Sequence, residues 1–149
     1  MIAHVQAQTG GQSPMPRVTG PKTLSNSFLG TTRQVCVVTR DLERTLAGFV
    51  AMGIGPWRIF TFGPHNCTEQ TYRGKAQPHT MRLATGWTGD SFWEVIQPLE
   101  GQSIYQDWLD NHGEGVQHVV QTCGTMTFEE KVEEFRQRGL EVAQSGRWA

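Results

Sequence analysis

Two side chains in the middle of this chain, Glu94 and His118, have the chemistry to hold a cation or to move a proton. Glu94 lies within the apolar run Phe92-Trp93-Glu94-Val95-Ile96-Gln97-Pro98-Leu99. A carboxylate in such a strand needs either an exposed face or a buried partner. His118 follows a Gly-rich turn in Asn111-His112-Gly113-Glu114-Gly115-Val116-Gln117-His118-Val119-Val120. A lone strand histidine is more often packed or hydrogen-bonded than a ligand. The segment Pro78-His79-Thr80-Met81-Arg82-Leu83-Ala84 carries no carboxylate but offers two further groups. His79 is a candidate base, because imidazole titrates near neutrality. Arg82 shares the other face with Thr80 and can hold a substrate carboxylate or enolate oxygen. Which face points inward is open at this stage.

The elements that must position these groups are readable in outline. Thr32 to Thr39 contains the run Val35-Cys36-Val37-Val38 and reads as a buried strand. Asp41 is placed to cap a helix whose apolar stripe is Leu42, Leu46, Phe49 and Val50, closed by Gly53. Three strands are expected at Trp57 to Phe62, His79 to Ala84 and Ser91 to Gln97. The polar, Gly/Pro-punctuated stretch Gly63 to Gln77 reads as a long surface loop, in which His65 and Tyr72 are candidates for a lid.

Ser103 to His112 reads as a short helix opened by a capping-box pattern, Ser103 with Gln106, with Tyr105, Trp108 and Leu109 on one side. Val116 to Thr122 reads as a strand. Thr127 to Arg138 is a helix opened by Thr127 and Glu130, and Leu140 to Ala143 is expected to begin one more strand. Glu129, Glu130, Glu133 and Glu134 read as a solvated helix face beside Lys131 and Arg136. Residues 1–28 are rich in Gln, Gly, Pro, Ser and Thr and read as a flexible arm, leaving one domain over 29–149.

At 149 residues the chain can bury a real core. A formal net charge of −1 argues against nucleic acid or an anionic membrane as partner, since both need a basic footprint. No apolar run approaches a membrane span of about 20 residues. Met1 to Gln12 has neither the basic region nor the apolar core of a secretory signal. The expected setting is therefore cytoplasmic, and the sequon Asn66-Cys67-Thr68 reads as chance. Cys36, Cys67 and Cys123 are odd in number and widely spaced, which disfavours a disulfide scaffold or a thiolate zinc site. Cys36 reads as a small buried hydrophobe. Of the five tryptophans, Trp57 and Trp93 fit either an apolar pocket wall or plain core packing.

Taken together, the Glu94 strand, the helix after it, the Gly-Glu-Gly turn and the His118 strand resemble the junction between the two βαβββ modules of the vicinal oxygen chelate superfamily. The nearest pattern is the methylmalonyl-CoA epimerase-like group. The resemblance covers about residues 30 to 145, and an echo between Gln34-Val35-Cys36-Val37-Val38 and His118-Val119-Val120 supports an internal repeat. It implies an α+β fold of paired modules forming a cupped mixed sheet. It also implies a divalent metal, with Gln34, Glu94 and His118 at the ligand positions. Carboxylate and imidazole suit Mn, Fe, Co, Ni or Zn rather than Ca.

The chain departs from that pattern in two ways. Only ten residues, Leu140 to Ala149, follow the last helix, where the pattern has two more strands, the last with a metal-binding Glu. The second module is therefore expected to be incomplete, with an open sheet edge covered by a second copy in a homodimer. The third strand also lacks the catalytic Glu of the epimerases, so specific methylmalonyl-CoA epimerase activity is not expected. The expected function is a small-molecule enzyme acting on a carbonyl or aromatic substrate through an enolate: an isomerase, epimerase, cyclase or lyase, in which Glu94, His79 and Arg82 are the catalytic candidates. The alternatives are a metal-independent acid/base enzyme of the same fold and a non-catalytic ligand-binding or sequestering protein.

Overall fold

A β-branched run with no charge inside it has to be covered on both faces, and Val35 to Val38 lies in an interior strand of a five-stranded sheet. The computed structural model describes residues 28–148; most of the expected N-terminal arm, 1–27, lies outside the described residues, as does Ala149. Strand β1 (Thr32–Val38) leads into helix α1 (Leu42–Ala51), then β2 (Arg58–Phe62), β3 (Cys67–Tyr72), β4 (Lys75–Ala76), β5 (Thr80–Thr88) and β6 (Ser91–Glu100). Helix α2 (Ile104–His112), β7 (Gly115–Gln121), α3 (Phe128–Gln137) and β8 (Gln144–Trp148) follow. The main sheet runs β2-β5-β6-β1-β7, and a small second sheet runs β4-β3-β8. β1 is parallel to β6 and antiparallel to β7, so the opening strands of the two βα units lie side by side.

The two faces of the main sheet are covered by different helices. On one, Leu42 and Leu46 of α1 bury against Ala84 and Val95, with Phe49 and Trp57 packed around them. Phe49 meets both Trp57 and Trp93, with centroids 5.4 and 5.3 Å apart. Gly86 leaves room for this ring, because a Cβ there would sit 3.0 Å from Trp57 and push it by a few tenths of an ångström. Both strand tryptophans therefore serve core packing under α1. On the other face Cys36, Val38, Phe62, Leu83, Ile96 and Leu109 form the second cluster, joined by Tyr105 and Trp108 of α2.

Four expectations are corrected. Val50 does not complete the α1 stripe and is exposed, since Leu42, Leu46 and Phe49 already fill the contact with the sheet. Ser103 caps α2 by accepting from the Gln106 amide at 3.2 Å, but the Gln106 side chain turns to Asp110 instead of closing the box. The stretch Gly63 to Gln77 contains the hairpin β3–β4, and Tyr72 is fixed to Asp107 of α2 at 2.7 Å, which removes it as a free lid residue. The last strand begins at Gln144 rather than Leu140, and it pairs with β3. The box at Thr127 and Glu130 closes as expected. Phe28, at the start of the described range, packs edge-on against Phe135 of α3 at 5.1 Å.

One carboxylate ties β7 to the start of α1. Glu114, in the turn before β7, accepts from the Thr39 hydroxyl at 2.8 Å and the Arg40 amide at 2.7 Å, and pairs with Arg44. Hydrogen bonds from Arg44, the Arg40 amide and Thr39 hold its carboxyl well below the usual range, at about 2. A depressed carboxylate stabilises the fold above its ordinary pKa, and that contribution is lost as pH falls through the folded value. Glu114→Gln is expected to lower stability at pH 7 by about 1 kcal/mol, a charged hydrogen-bond value discounted for partial exposure. The gap from wild type should close as pH is taken down to about 2; a pH-independent gap in urea titrations would contradict this account of the turn.

β7 is the outermost strand of its sheet among the described residues, and Val116 and Val119 on it are 56% and 51% exposed. An open edge flanked by exposed valines invites another strand. We propose that a second copy covers it in a homodimer. Light scattering over a concentration range should give twice the chain mass, and Val119→Lys should shift it to the monomer; a monomer at all concentrations would remove the proposal.

Candidate metal centre

Strand register, more than sequence spacing, decides which side chains meet. Cys36 of β1 is the cross-strand partner of Glu94 on β6 and of His118 on β7. Directly opposed residues in a sheet share a face, so carboxylate, thiol and imidazole form one row across three adjacent strands. Thr85 of β5 extends the row beyond Glu94. One ligand atom from each of Cys36, Glu94 and His118 lies within 4.8 Å of the others.

The groups in this row are poorly solvated. The Glu94 side chain is 13% exposed and that of His118 30% exposed, while Cys36 is fully buried. Burial pushes the Glu94 carboxyl above the usual range, and hydrogen bonds from Cys36 and Gln34 oppose the shift. Burial lowers the pKa of His118, which favours the neutral ring. Burial first, and then the Glu94 charge, push the Cys36 thiol up. His118 Nδ1 contacts the Gln117 side-chain oxygen, and in the Nδ1–H tautomer of the neutral ring it donates there. Nε2, the nitrogen facing Glu94 Oε2 at 3.7 Å, then keeps its lone pair.

A carboxylate oxygen and an imidazole lone pair facing each other in a partly desolvated site repel. The arrangement is satisfied by a proton between them or by a cation. Among the described residues, no lysine or arginine pairs with Glu94. The donor set, one oxygen, one nitrogen and one sulfur at ligating separations, fits a borderline divalent ion.

A cavity of about 970 Å³ lies on the same side of the sheet; Cys36, Glu94 and His118 are not among its lining residues, and Tyr105 is the residue that touches both. Its walls include Phe62, Met81, Leu83, Tyr105, Val120 and Trp148. Trp148 of β8 stands edge-on to Phe62 at 5.2 Å and near Phe60 at 6.2 Å. Tyr105 joins the cavity to the row, with its ring 6.3 Å from that of His118. Burial, and then the charges of Glu94, Cys36 and Cys67, raise the Tyr105 pKa and keep its hydroxyl protonated; a hydrogen bond from Gln144 opposes this.

The residues singled out from the sequence separate clearly. Glu94 and His118 are brought together. Gln34 is on the same face one step along β1, and its amide is engaged with the Glu94 carboxylate. His79 is buried in the cavity wall, with Nδ1 3.4 Å from the Gln77 carbonyl. It precedes Thr85 by six residues, which at strand rise is roughly 20 Å from the Glu94 row. Arg82 shares the α1 face with Ala84, opposite to Leu83, and is paired with Glu43 of α1. Neither His79 nor Arg82 reaches Glu94. Cys36 and Tyr105 were not among the site residues expected from the sequence. Strand alternation had put Cys36 on the face of Gln34, and that was the signal pointing to it.

The profile of the glyoxalase/bleomycin resistance protein/dioxygenase superfamily matches residues 33–149. The chain belongs to that superfamily. No curated protein matches it. Among solved structures it is similar to methylmalonyl-CoA epimerase from Mycobacterium tuberculosis, at 16% identity and a TM-score of 0.56, over 79% of this chain and 70% of that one. It is also similar to a variant of the Streptomyces coelicolor methylmalonyl-CoA epimerase in complex with 2-nitronate-propionyl-CoA. That likeness is at 22% identity and a TM-score of 0.53, over 74% and 71% of the two chains. At these identities the likeness shows the superfamily's α+β fold of βαβββ-like modules. The β2-β5-β6-β1 part of the sheet is one such module, and β7 with α3 opens the second. No helix among the described residues is long and apolar enough to cross a membrane.

Proposed function

We propose that this superfamily member is an enzyme that removes and returns the proton next to a carbonyl group, in isomerase or lyase chemistry. The observation that carries the reading is the pair of acceptors, Glu94 Oε2 and His118 Nε2, facing each other at 3.7 Å. Glu94 and His118 would hold a divalent ion, and Gln34 would orient Glu94 through its amide. Such an ion, when bound, supplies positive charge to an oxyanion developing on the substrate carbonyl.

The remaining work falls to the chain's own groups. When no ion is held, Glu94, with a carboxyl made more basic by burial, accepts the substrate proton. Tyr105, held protonated beside it, donates a hydrogen bond toward the reacting carbonyl. The aromatic and aliphatic part of the cavity wall favours an apolar acyl or aromatic carbonyl compound, while Glu69, Glu129 and Arg147 give its rim polar groups. The similarity to a structure holding 2-nitronate-propionyl-CoA makes acyl thioesters one class to try. His79 and Arg82 would act at a distance from the chemistry, His79 by shaping the far wall and Arg82 by holding α1 to β5.

A metal-independent version of this chemistry has its own support. A proton shared between Glu94 and neutral His118 satisfies the same two acceptors, and the raised Glu94 carboxyl is consistent with it. The test for both versions is solvent deuterium exchange, followed by nuclear magnetic resonance, over acyl thioesters, 2-oxo acids and aryl ketones. Exchange at the carbon next to the carbonyl is expected for one class and should fall at least about 100-fold in Glu94→Gln, the lower end for losing a general base. Saturable binding of a panel member with no exchange would replace the enzyme by a ligand-binding protein.

A further inference from the structure

A strand thiol directly between a carboxylate and an imidazole can do one of four things here: pack, form a disulfide, act as a nucleophile, or ligate an ion. Cys36 is a free thiol, as are Cys67 and Cys123, which removes the disulfide. It is fully buried, and a nucleophile must reach its substrate. Packing alone would be met by alanine or valine; the Cys36 thiol also lies 3.9 Å from the Val37 carbonyl, a weak contact that does not account for its place opposite both Glu94 and His118. What remains is its position in the row, with its sulfur within 4.8 Å of the ligand atoms of Glu94 and His118.

We propose that Cys36 is the β1 ligand of the centre, so that the ion is held by thiolate, carboxylate and imidazole. This rests on the reading that Glu94 and His118 hold a metal, and it alters what that metal is. Gln34 is the alternative ligand on β1; its amide N–H donates to the Glu94 carboxylate, which gives it a positioning role, while Cys36 is the β1 residue directly opposite both Glu94 and His118. Charge also favours sulfur. Cys36 and Glu94, both ionised, carry two negative charges into a partly desolvated row, and these balance a divalent ion; an amide in place of the thiolate would leave the centre with a net positive charge.

Ion uptake breaks the Cys36 S–H bond and passes the proton to solvent, with no change of oxidation state. A thiolate ligand selects zinc or cobalt over manganese or magnesium. Three protein donors leave a fourth position of a tetrahedral ion for a substrate oxygen.

The experiment uses the full chain loaded with cobalt(II) or zinc(II). Cobalt should give a near-ultraviolet sulfur-to-metal charge-transfer band. Zinc-edge absorption should show one sulfur per ion at about 2.3 Å, the usual zinc–thiolate distance. The band should survive in Cys67→Ser and Cys123→Ser and vanish in Cys36→Ser. Zinc binding in Cys36→Ala should weaken more than about 100-fold, the upper end for losing a group that merely supports a ligand. If the Cys36 variants do not fold, the wild-type spectra and the other two variants still decide. An ion bound at one per chain with only nitrogen and oxygen neighbours would overturn Cys36 ligation and leave the Glu94–His118 centre standing. Failure to bind either ion would overturn both.

Discussion

Glu94 and His118 face each other at 3.7 Å from β6 and β7, with the β1 thiol between them, and this partly buried polar pair, which needs a proton or a cation to satisfy it, constrains the rest of the site. Packing does not satisfy it, because both groups are partly desolvated and no lysine or arginine among the described residues reaches the carboxylate. The row exists only because β1 pairs parallel with β6 and antiparallel with β7 in one register. A slip of one residue on either side would send Glu94 or His118 to the α1 face.

Several local features hold that register. α1 packs on Ala84 and Val95, one face away from the row, so its apolar contact secures β5 and β6 without occupying the site. α2 closes the other face with Leu109 while delivering Tyr105 to the boundary between row and cavity. Glu114 fixes the turn into β7 against the β1–α1 connection, which sets how far along β1 the His118 strand begins. The second sheet contributes at a distance: β8 brings Trp148 against Phe60 and Phe62 and forms part of the cavity wall. A fold of this kind spends stability at the centre, where charge is buried, and recovers it in the two apolar layers and the turn.

The elements legible from the sequence are those specified by local signals. α1 announces itself through its cap and helical stripe, α3 through its capping box, and β6 through its apolar run. The hairpin β3–β4 is opaque for the converse reason. Its residues are polar, and Glu69 and Arg73 adopt positive φ of 53° and 48°, which interrupts the alternation a strand would show. The Glu94–His118 pair was legible through the family pattern. Cys36 was seen only as a hydrophobe, because the thiol gains its meaning from residues 58 and 82 positions away, through cross-strand register that no single strand encodes. His79 and Arg82 show the same limit from the other side. Their residue types suit the chemistry, but the strand rise and the alternation of β5 carry them away from Glu94.

The central claim is that the Glu94 row is a metal centre. The most direct measurement is metal content per chain by inductively coupled plasma mass spectrometry, on tag-free protein after a mild chelator wash, for wild type and Glu94→Ala. The account predicts close to one equivalent of a borderline divalent ion in wild type and none in the variant. A folded wild-type protein without metal, or equal content in the two proteins, would contradict it.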